Sequence, residues 1–402
     1  FRSEFLLFDD TFNVLIGDNE AGKSSILTAI DYVLSGSRAK IEKAGIERVF
    51  NSISVDEYLR GERRFENLPE LSVELYLSGL NDPYYNGKVN SEGETCDGLR
   101  LFCKPADEIS EIIGELLKVD GGNFPFEYYS IQFQTFSGEG YNGYKRPLRH
   151  LLIDSSQISN EFATRDYVKT VYLSKVNDGE VPKHQNAYRS AMRSFKDDVL
   201  SEVNDRMEEY EFSIRGGGSS QLSSDLTIEE SGIPIESRGK GKQCFIKTDF
   251  AIRRSEKGAL LDVVLLEEPE NHLSHVNMRT LIGKIKQSAG SQMFIATHNS
   301  MISTRLDLRK SILFGIGNSS HAILADLDEE TAEFFIKAPD NNVLEFVLSQ
   351  RVVLVEGDAE FLLINEFFKT VLDCEAHEVG VHVISIGGTS FKRYMSLAKL
   401  LG

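Results

Sequence analysis

The chain is poor in cysteine, and the few it has are scattered. Cys96, Cys103, Cys244 and Cys374 lie far apart and form no C-x-x-C pair. Such thiols suit a reducing cytosol and offer no disulfide framework, so a cytoplasmic location is expected. Long hydrophobic runs are also absent: no uninterrupted apolar stretch reaches the length that spans a bilayer, and no membrane partner is expected. The opening residues, Phe1-Arg2-Ser3-Glu4-Phe5, lack the form of a signal peptide. No methionine starts the sequence, so the natural N-terminus is expected upstream. Positive charge is in deficit. A net charge of −18 argues against a protein coated in basic residues for nucleic acid. It leaves room for a local basic track, or for a metal nuclease whose carboxylates add negative charge. The local clusters are Lys145, Arg146, Arg149 and His150; Arg238, Lys240, Lys242 and Lys247; and Arg253, Arg254 and Lys257. Taken singly, each also reads as a solvated face.

What is present begins with one stretch. Gly17-Asp18-Asn19-Glu20-Ala21-Gly22-Lys23-Ser24-Ser25 fits the phosphate-loop pattern G-x-x-x-x-G-K-[ST]. Thr11 to Ile16 reads as a buried strand, and Ser25 to Leu34 as a helix with Ile26, Leu27, Ile30 and Leu34 at helical spacing. That context lets backbone N–H groups and a helix N-terminus surround a triphosphate. Lys23 adds a charge near the outer phosphates, and Ser24 is suited to hold Mg²⁺. With 402 residues and a hydrophobic fraction of 41%, the chain has room for two or three domains with buried cores.

Phe5 to Phe8 reads as a strand turning at Asp9-Asp10, residues 36–70 as polar and irregular, and Asn81 to Gly98 as a loop. Leu71 to Ser78 and Leu99 to Lys104 alternate as half-buried strands, and Glu127 to Phe136 is a further strand carrying Gln132 and Gln134. From about Leu148 to Tyr210 the pattern is helical, with Tyr188, Met192, Phe195, Val199 and Val203 forming one apolar stripe. The stripe suits packing within the chain or against a second copy. Arg215 to Ser220 reads as a flexible connector.

Leu260 to Leu266 is a continuous apolar run, as in a strand buried in a parallel sheet, and ends in Glu267-Glu268-Pro269-Glu270. Carboxylates at the C-terminal end of such a strand sit where ligands bind in open α/β sheets. Glu267 is assigned to assist Mg²⁺ and Glu268 to polarise the attacking water; a solvated acidic turn is the competing reading. Met293 to Ala296 is another buried strand, ending in Thr297-His298-Asn299, and His298 is a candidate contact to the γ-phosphate. A long interval separates the phosphate loop from Glu267, which points to an ABC-type ATPase with a large insertion. Ser237-Arg238-Gly239-Lys240-Gly241-Lys242-Gln243 resembles the signature loop of that class as S-x-G-x-G-x-Q, a departure from L-S-G-G-Q.

Glu267-Glu268-Pro269-Glu270-Asn271-His272-Leu273 resembles the E-E-P-E-x-H-L stretch of the OLD (overcoming lysogenization defect) family of ATP-dependent endonucleases, relatives of SMC-type ATPases. The resemblance implies that Gly17 to Ser25 is Walker A, with Gly17, Asn19, Gly22, Lys23, Ser24 and Ser25 binding nucleotide. It also implies that Glu267-Glu268 is Walker B, with Glu in place of the commoner Asp at the first position. Glu270 to His275 would be the D-loop and His298 the switch histidine. Gln132 or Gln134 would be the Q-loop glutamine near the metal, and Ser237, Gly239 and Gly241 would approach the nucleotide of a second subunit.

The last stretch points to the same family. Arg351 to Val355 reads as a strand leading to Glu356-Gly357-Asp358-Ala359-Glu360. A helix follows, with Phe361, Leu362, Ile364, Phe367 and Val371 as its expected buried face. Then come a strand from Val381 to Ile386, a Gly387-Gly388 turn and a helix from Phe391. This resembles the opening half of a Toprim domain, with Glu356 and Glu360 one helical turn apart as carboxylates for one metal site. Without the family, the same acids read as a helix start favoured by the dipole. The D-x-D that a Toprim site also needs is expected beyond Gly402, because Asp326-Leu327-Asp328 lies upstream in the wrong order. The chain is therefore expected to be a fragment.

The fold class expected is α/β: an ABC-type P-loop ATPase with a helical dimerisation insert, followed by the N-terminal half of a Toprim domain. The divisions are 1–147 and 216–345 for the ATPase, 148–215 for the insert and 346–402 for Toprim. The resemblance implies ATP and Mg²⁺ as cofactors, with Mn²⁺ as an alternative at the Toprim site. It implies DNA as substrate and a homodimer or higher homo-oligomer. It also implies a role in anti-phage defence, with a defence partner protein or a nucleic acid such as retron msDNA. The competing function is a non-nucleolytic SMC-like ATPase that clamps DNA or a partner.

Overall fold

The computed structural model describes residues 2–401 except 81, 107–109, 118–122, 144–147, 157–160, 178, 208–210, 215–221, 253–260, 288–289, 316–320, 338–341 and 389. Lys145, Arg146, Arg253, Arg254 and Lys257 of the basic clusters, and the connector from Arg215 to Ser220, lie outside the described residues. The chain divides into two compact units, one of residues 1–8 and 19–150, the other of 9–18 and 151–402. The chain passes from one to the other inside the phosphate loop: β1 (Phe12–Gly17) belongs to the second unit, and α1 (Lys23–Ser35) to the first.

In the first unit, α1 is followed by α2 (Arg38–Ala44) and α3 (Ser52–Arg60). Residues 36–70 are thus not irregular. Ser37 accepts from the Lys40 N–H and Asn51 from the Ser54 N–H, so each helix carries an N-cap that starts it despite its polar composition. The sheet comprises β2 (Leu71–Leu77), β3 (Asn86–Gly87), β4 (Cys96–Pro105) and β5 (Tyr129–Thr135), with β4 pairing antiparallel to the other three. The helix α4 (Ser110–Leu117) lies between β4 and β5 in sequence. Strand alternation buries Leu99, Leu101, Cys103, Ile131 and Phe133 on one side. Gly98 has no Cβ because one would meet the Phe136 ring at 2.1 Å. Phe5 to Phe8 forms no strand: Phe5 and Leu7 are 63% and 68% exposed. An apolar run becomes a strand only where another strand is available to pair with it.

The second unit holds a six-stranded sheet in the order β12 (His321–Ile323), β11 (Ser311–Phe314), β1, β10 (Gln292–Thr297), β9 (Val263–Glu267) and β6 (His150–Asp154). Its first strand after β1 is β6 (His150–Asp154), which replaces a helix expected from Leu148. A short apolar run has no periodicity that separates strand from helix, and here the open side of β9 decides. Then come α5 (Glu161–Lys175), α6 (Glu180–Val199), α7 (Ser201–Asn204), α8 (Leu222–Asp225), β7 (Glu229–Glu230), β8 (Ile233–Pro234) and α9 (Lys240–Ile252). The central strands follow as β9 (Val263–Glu267), α10 (His275–Gln287), β10 (Gln292–Thr297), α11 (Ser300–Leu306), β11 (Ser311–Phe314) and β12 (His321–Ile323). Strands β9, β10, β1 and β11 are mutually parallel, and β12 closes one side antiparallel. Val14, Ile16, Val264, Leu266 and Ile295 are fully buried between layers, as a two-sided parallel sheet requires.

The chain ends in α12 (Glu329–Lys337), α13 (Val343–Leu348), β13 (Val352–Val355), α14 (Asp358–Leu372), β14 (His382–Ser385) and α15 (Phe391–Leu401). β13 and β14 pair in parallel as a two-stranded sheet. Ile384, Tyr394 and Leu397 join the same core as Phe335, Val343 and Phe346, and the Tyr394 ring stands edge-on to Phe346 at 5.0 Å. On α14 the expected buried face is only partly inward. Ile364 and Phe368 pack on Val355 and Val383, while Leu362, Phe367 and Val371 are 65%, 55% and 76% exposed. A two-stranded sheet accepts one stripe of a helix, not its whole apolar surface.

Candidate active site

The parallel strands of the second unit end level with one another. Ile16 of β1 is opposite Thr297 of β10, and Ala296 of β10 opposite Glu267 of β9. Gly17, Thr297 and Glu267 therefore stand along one sheet edge, the carboxyl ends of the strands, where open α/β sheets bind ligands.

The phosphate loop leaves β1 at that edge. Glu20 and Gly22 have φ of 67° and 98°, and Gly22 is the left-handed N-cap of α1, with no side chain to cap the helix. The positive end of the helix dipole is thus available to an anion. Lys23 is buried, Asn19, Ser24 and Ser25 are exposed, and the Ile26 N–H donates to the Gly22 carbonyl. A tight loop, an uncapped helix start and a buried lysine fit a triphosphate.

The carboxylate group is held by backbone and side chain together. The Ser155 N–H donates to the Glu267 carbonyl, and the Glu268 N–H to the Ala296 carbonyl at 2.8 Å. Glu268 itself adopts φ of 44°, a conformation uncommon outside glycine, which turns the chain sharply after the strand. Asn271 Nδ2 donates to Glu268 Oε2 at 2.7 Å and to Ser155 Oγ at 3.1 Å. His298 Nδ1 lies 3.3 Å from Glu268 Oε1 and 3.8 Å from Glu270 Oε1. Glu270 is 7% exposed. Its Oε1 accepts from Thr297 Oγ1 and from the His298 N–H. Burial pushes its carboxyl up, against these hydrogen bonds and the neighbouring His298. Asn299 Oδ1 then caps α11 through the Met301 and Ile302 N–H groups. The structure thus brings Glu267, Glu268 and His298 to one place, with Ser155, Glu270, Asn271 and Thr297 around them. Neither Ser155 nor Thr297 carries a motif of its own; Asn271, two residues after Pro269, is the one whose place in the sequence could have suggested contact with Glu268.

The signature-like segment packs close by in the same unit. Gly241, in the first turn of α9, has no room for a side chain, since a Cβ would lie 2.0 Å from the His272 carbonyl oxygen. Gln243 Nε2 donates to the Arg238 and Glu236 carbonyls and fixes the loop, while Ser237 ends a short 3-10 turn and Gly239 borders open space. The basic cluster here is not one face. Lys247 is buried and donates to Thr164 Oγ1, and Lys242 and Arg238 pair with Glu230. In the first unit, Gln132 and Gln134 share the face of β5 opposite Ile131 and Phe133. Gln132 is exposed and donates to Ser130 Oγ.

At the chain's last strands, Glu356 follows β13 and is exposed, and its carbonyl accepts from the Gly388 N–H. The exposed Glu360 carboxylate accepts from the Gly357 N–H at 3.1 Å, closing the helix start. Among the described residues, no three His, Cys, Asp or Glu side chains converge to hold a metal. Asp326 and Asp328 lie away from the sheet end; Asp328 accepts from the Thr331 N–H. Glu356 and Glu360 do not by themselves make a metal cage.

A family model described as "AAA domain, putative AbiEii toxin, Type IV TA system" matches residues 12–303, and one described as "Overcoming lysogenization defect protein-like, TOPRIM domain" matches residues 347–402. The chain is an OLD-family ATPase–Toprim protein. The first model spans the phosphate loop, both carboxylates and His298 of this OLD-family chain; the second begins just before β13. An SMC head bound to the C-winged helix domain of ScpA is 14% identical over 79% of this chain and 90% of that chain, with a TM-score of 0.39. The SMC head domain from Thermotoga maritima is 15% identical over 79% and 91%, with a TM-score of 0.32. Stu0660 of Streptococcus thermophilus is 11% identical over 99% and 96%, with a TM-score of 0.33. No curated protein matches this OLD-family chain.

Proposed function

We propose that this protein binds and hydrolyses ATP with Mg²⁺ at the carboxyl edge of its parallel sheet and cuts DNA through its Toprim domain as a metal-dependent nickase. The observation that carries the reading is the convergence of Glu267, Glu268 and His298 at the edge from which the phosphate loop leaves β1. In this reading, Gly17, Asn19, Gly22, Lys23, Ser24 and Ser25 hold the phosphates. Ser24 and Glu267 hold Mg²⁺, with Gln132 or Gln134 assisting. Glu268 accepts a proton from the attacking water, and His298 steadies the γ-phosphate. Mg²⁺ supplies charge stabilisation at the phosphoryl oxygens when bound.

The divisions at 1–147, 148–215, 216–345 and 346–402 are proposed for the two ATPase parts, the insert and the Toprim domain. Ser237, Gly239 and Gly241 serve the nucleotide of a second copy, so the complete site is composite. The stripe on α6 supports self-association: Phe195 and Val199 are 49% and 53% exposed among the described residues. Among the described residues, no helix is long and apolar enough to cross a membrane. Defence against phage, with a partner protein or a retron-type nucleic acid, is proposed from family likeness.

Glu356 and Glu360 are proposed as Toprim ligands for Mg²⁺ or Mn²⁺. One observation favours the other reading, a non-nucleolytic SMC-like clamp: Glu360 already uses its carboxylate to cap α14. Plasmid nicking by the whole protein with Mg²⁺ or Mn²⁺ decides between them. Metal-dependent nicks that vanish in Glu356→Ala support the nuclease. ATP turnover without any nicking supports the clamp.

A further inference from the structure

We infer that Glu270 is a positioning residue, which sets the His298 ring against Glu268 by accepting hydrogen bonds and not by carrying charge. The inference rests on the ATPase reading above and adds a residue that this reading leaves without a role.

Three observations carry it. First, Glu270 reaches from the turn after β9 to the end of β10. Its Oε1 takes both the Thr297 hydroxyl and the His298 N–H, so one oxygen fixes the backbone at the point where the His298 side chain begins. The His298 ring is 52% exposed, so this hydrogen bond to its backbone is a tether that the ring's own packing supplies only in part. Second, the imidazole lies beside two carboxylates at unequal distances, 3.3 Å for Glu268 and 3.8 Å for Glu270. The nearer one is the proposed base, already held on its other oxygen by Asn271. Third, Glu270 Oε2 is buried and, among the described residues, has no hydrogen-bond partner. An ionised carboxylate with one oxygen unsatisfied in a buried site is costly, and the neutral form less so. Burial accordingly raises the carboxyl above its ordinary range. A neutral group that keeps its acceptor oxygen is what the geometry uses.

A purely structural strut would tolerate any change that leaves the fold intact, and a charge-bearing group would require a carboxylate. A positioning acceptor requires length and an oxygen. Glutamine keeps both and cannot ionise; aspartate keeps an ionisable carboxyl and loses the reach.

The test uses the whole protein and measures kcat, KM and ATP affinity for Glu270→Gln, Glu270→Asp and Glu270→Ala, with folding followed by thermal melting. The expected result for Glu270→Ala is a fall in kcat of about thirtyfold or more with KM and ATP affinity within about threefold. Glu270→Gln should recover most of that loss, and Glu270→Asp should not. If Glu270→Ala does not fold, the Gln and Asp variants still decide, because they differ in opposite properties. Asp active with Gln inactive would overturn the inference, as would wild-type kcat in Glu270→Ala. The His298 ring resonances in NMR give a readout independent of turnover: they should shift in Glu270→Ala and Glu270→Asp but stay near wild type in Glu270→Gln. If the wild type shows no ATP turnover, the proposed function fails, and the ring resonances alone then decide the role of Glu270. Unmoved resonances in all three variants would overturn it.

Discussion

Replacing Glu268 by Gln isolates the proposed water-activating group. The amide is nearly isosteric. Its oxygen can take over the 2.7 Å bond from Asn271 Nδ2, leaving its NH₂ toward His298. The left-handed turn at Glu268 is set by the Ala296 and Asn271 backbone bonds, which the side chain does not make. Fold and nucleotide binding are therefore expected to survive. What disappears is a group able to accept a proton. General-base catalysis contributes about 10²–10⁴ in rate, which corresponds to about 3–5 kcal/mol of barrier. Single-turnover ATP hydrolysis should slow by that range while equilibrium ATP affinity stays within about threefold of wild type. Hydrolysis in Glu268→Gln within a few fold of the wild-type rate would refute the assignment, and the base would have to be sought elsewhere on that edge.

Two further outcomes follow from the same structure. Phe195→Glu with Val199→Glu should weaken self-association in sedimentation, because each places an unpaired charge in a contact that excludes water; a wild-type protein that is monomeric at micromolar concentration with full ATPase activity would contradict the composite site. In the first unit, buried Asp31 accepts from His150 at 3.1 Å and pairs with Lys40 at 2.6 Å. Burial opposes its ionisation, but the His150 bond and the Lys40 charge prevail and hold the carboxyl below its ordinary value. Its contribution is therefore full above that ordinary value and lost as pH falls through the lowered value. Asp31→Asn should cost about 1.5–3 kcal/mol near neutral pH. Its deficit against wild type in denaturant unfolding should shrink toward zero in strong acid, and a deficit constant from pH 7 to pH 2 would contradict the pairing.

Much of the catalytic edge was legible because its signals are local. The loop from Gly17 to Ser25 needs only its own glycines, lysine and flanking apolar runs, and β9 and β10 are continuous apolar segments because both faces of a parallel sheet are covered. The parts that were not legible depend on contacts distant in sequence. β6 is a strand because β9 has room beside it, and the outward residues of α14 are set by how little sheet lies beneath. Glu270 and Asn271 stood inside a recognised motif, yet their separate tasks emerge only when Thr297, His298 and Ser155 arrive from other elements. Lys247 looked like part of a basic face and is instead buried against Thr164 and the Tyr167 ring.

The claim on which the rest depends is that Gly17 to Ser25 holds the phosphates of ATP. Equilibrium binding of ATP with Mg²⁺ to wild type and Lys23→Ala tests it most directly. Loss of a charge-assisted contact to phosphate is worth about 1.5–3 kcal/mol, so Lys23→Ala should bind at least about tenfold more weakly and turn over no ATP. Unchanged affinity in Lys23→Ala would contradict the account.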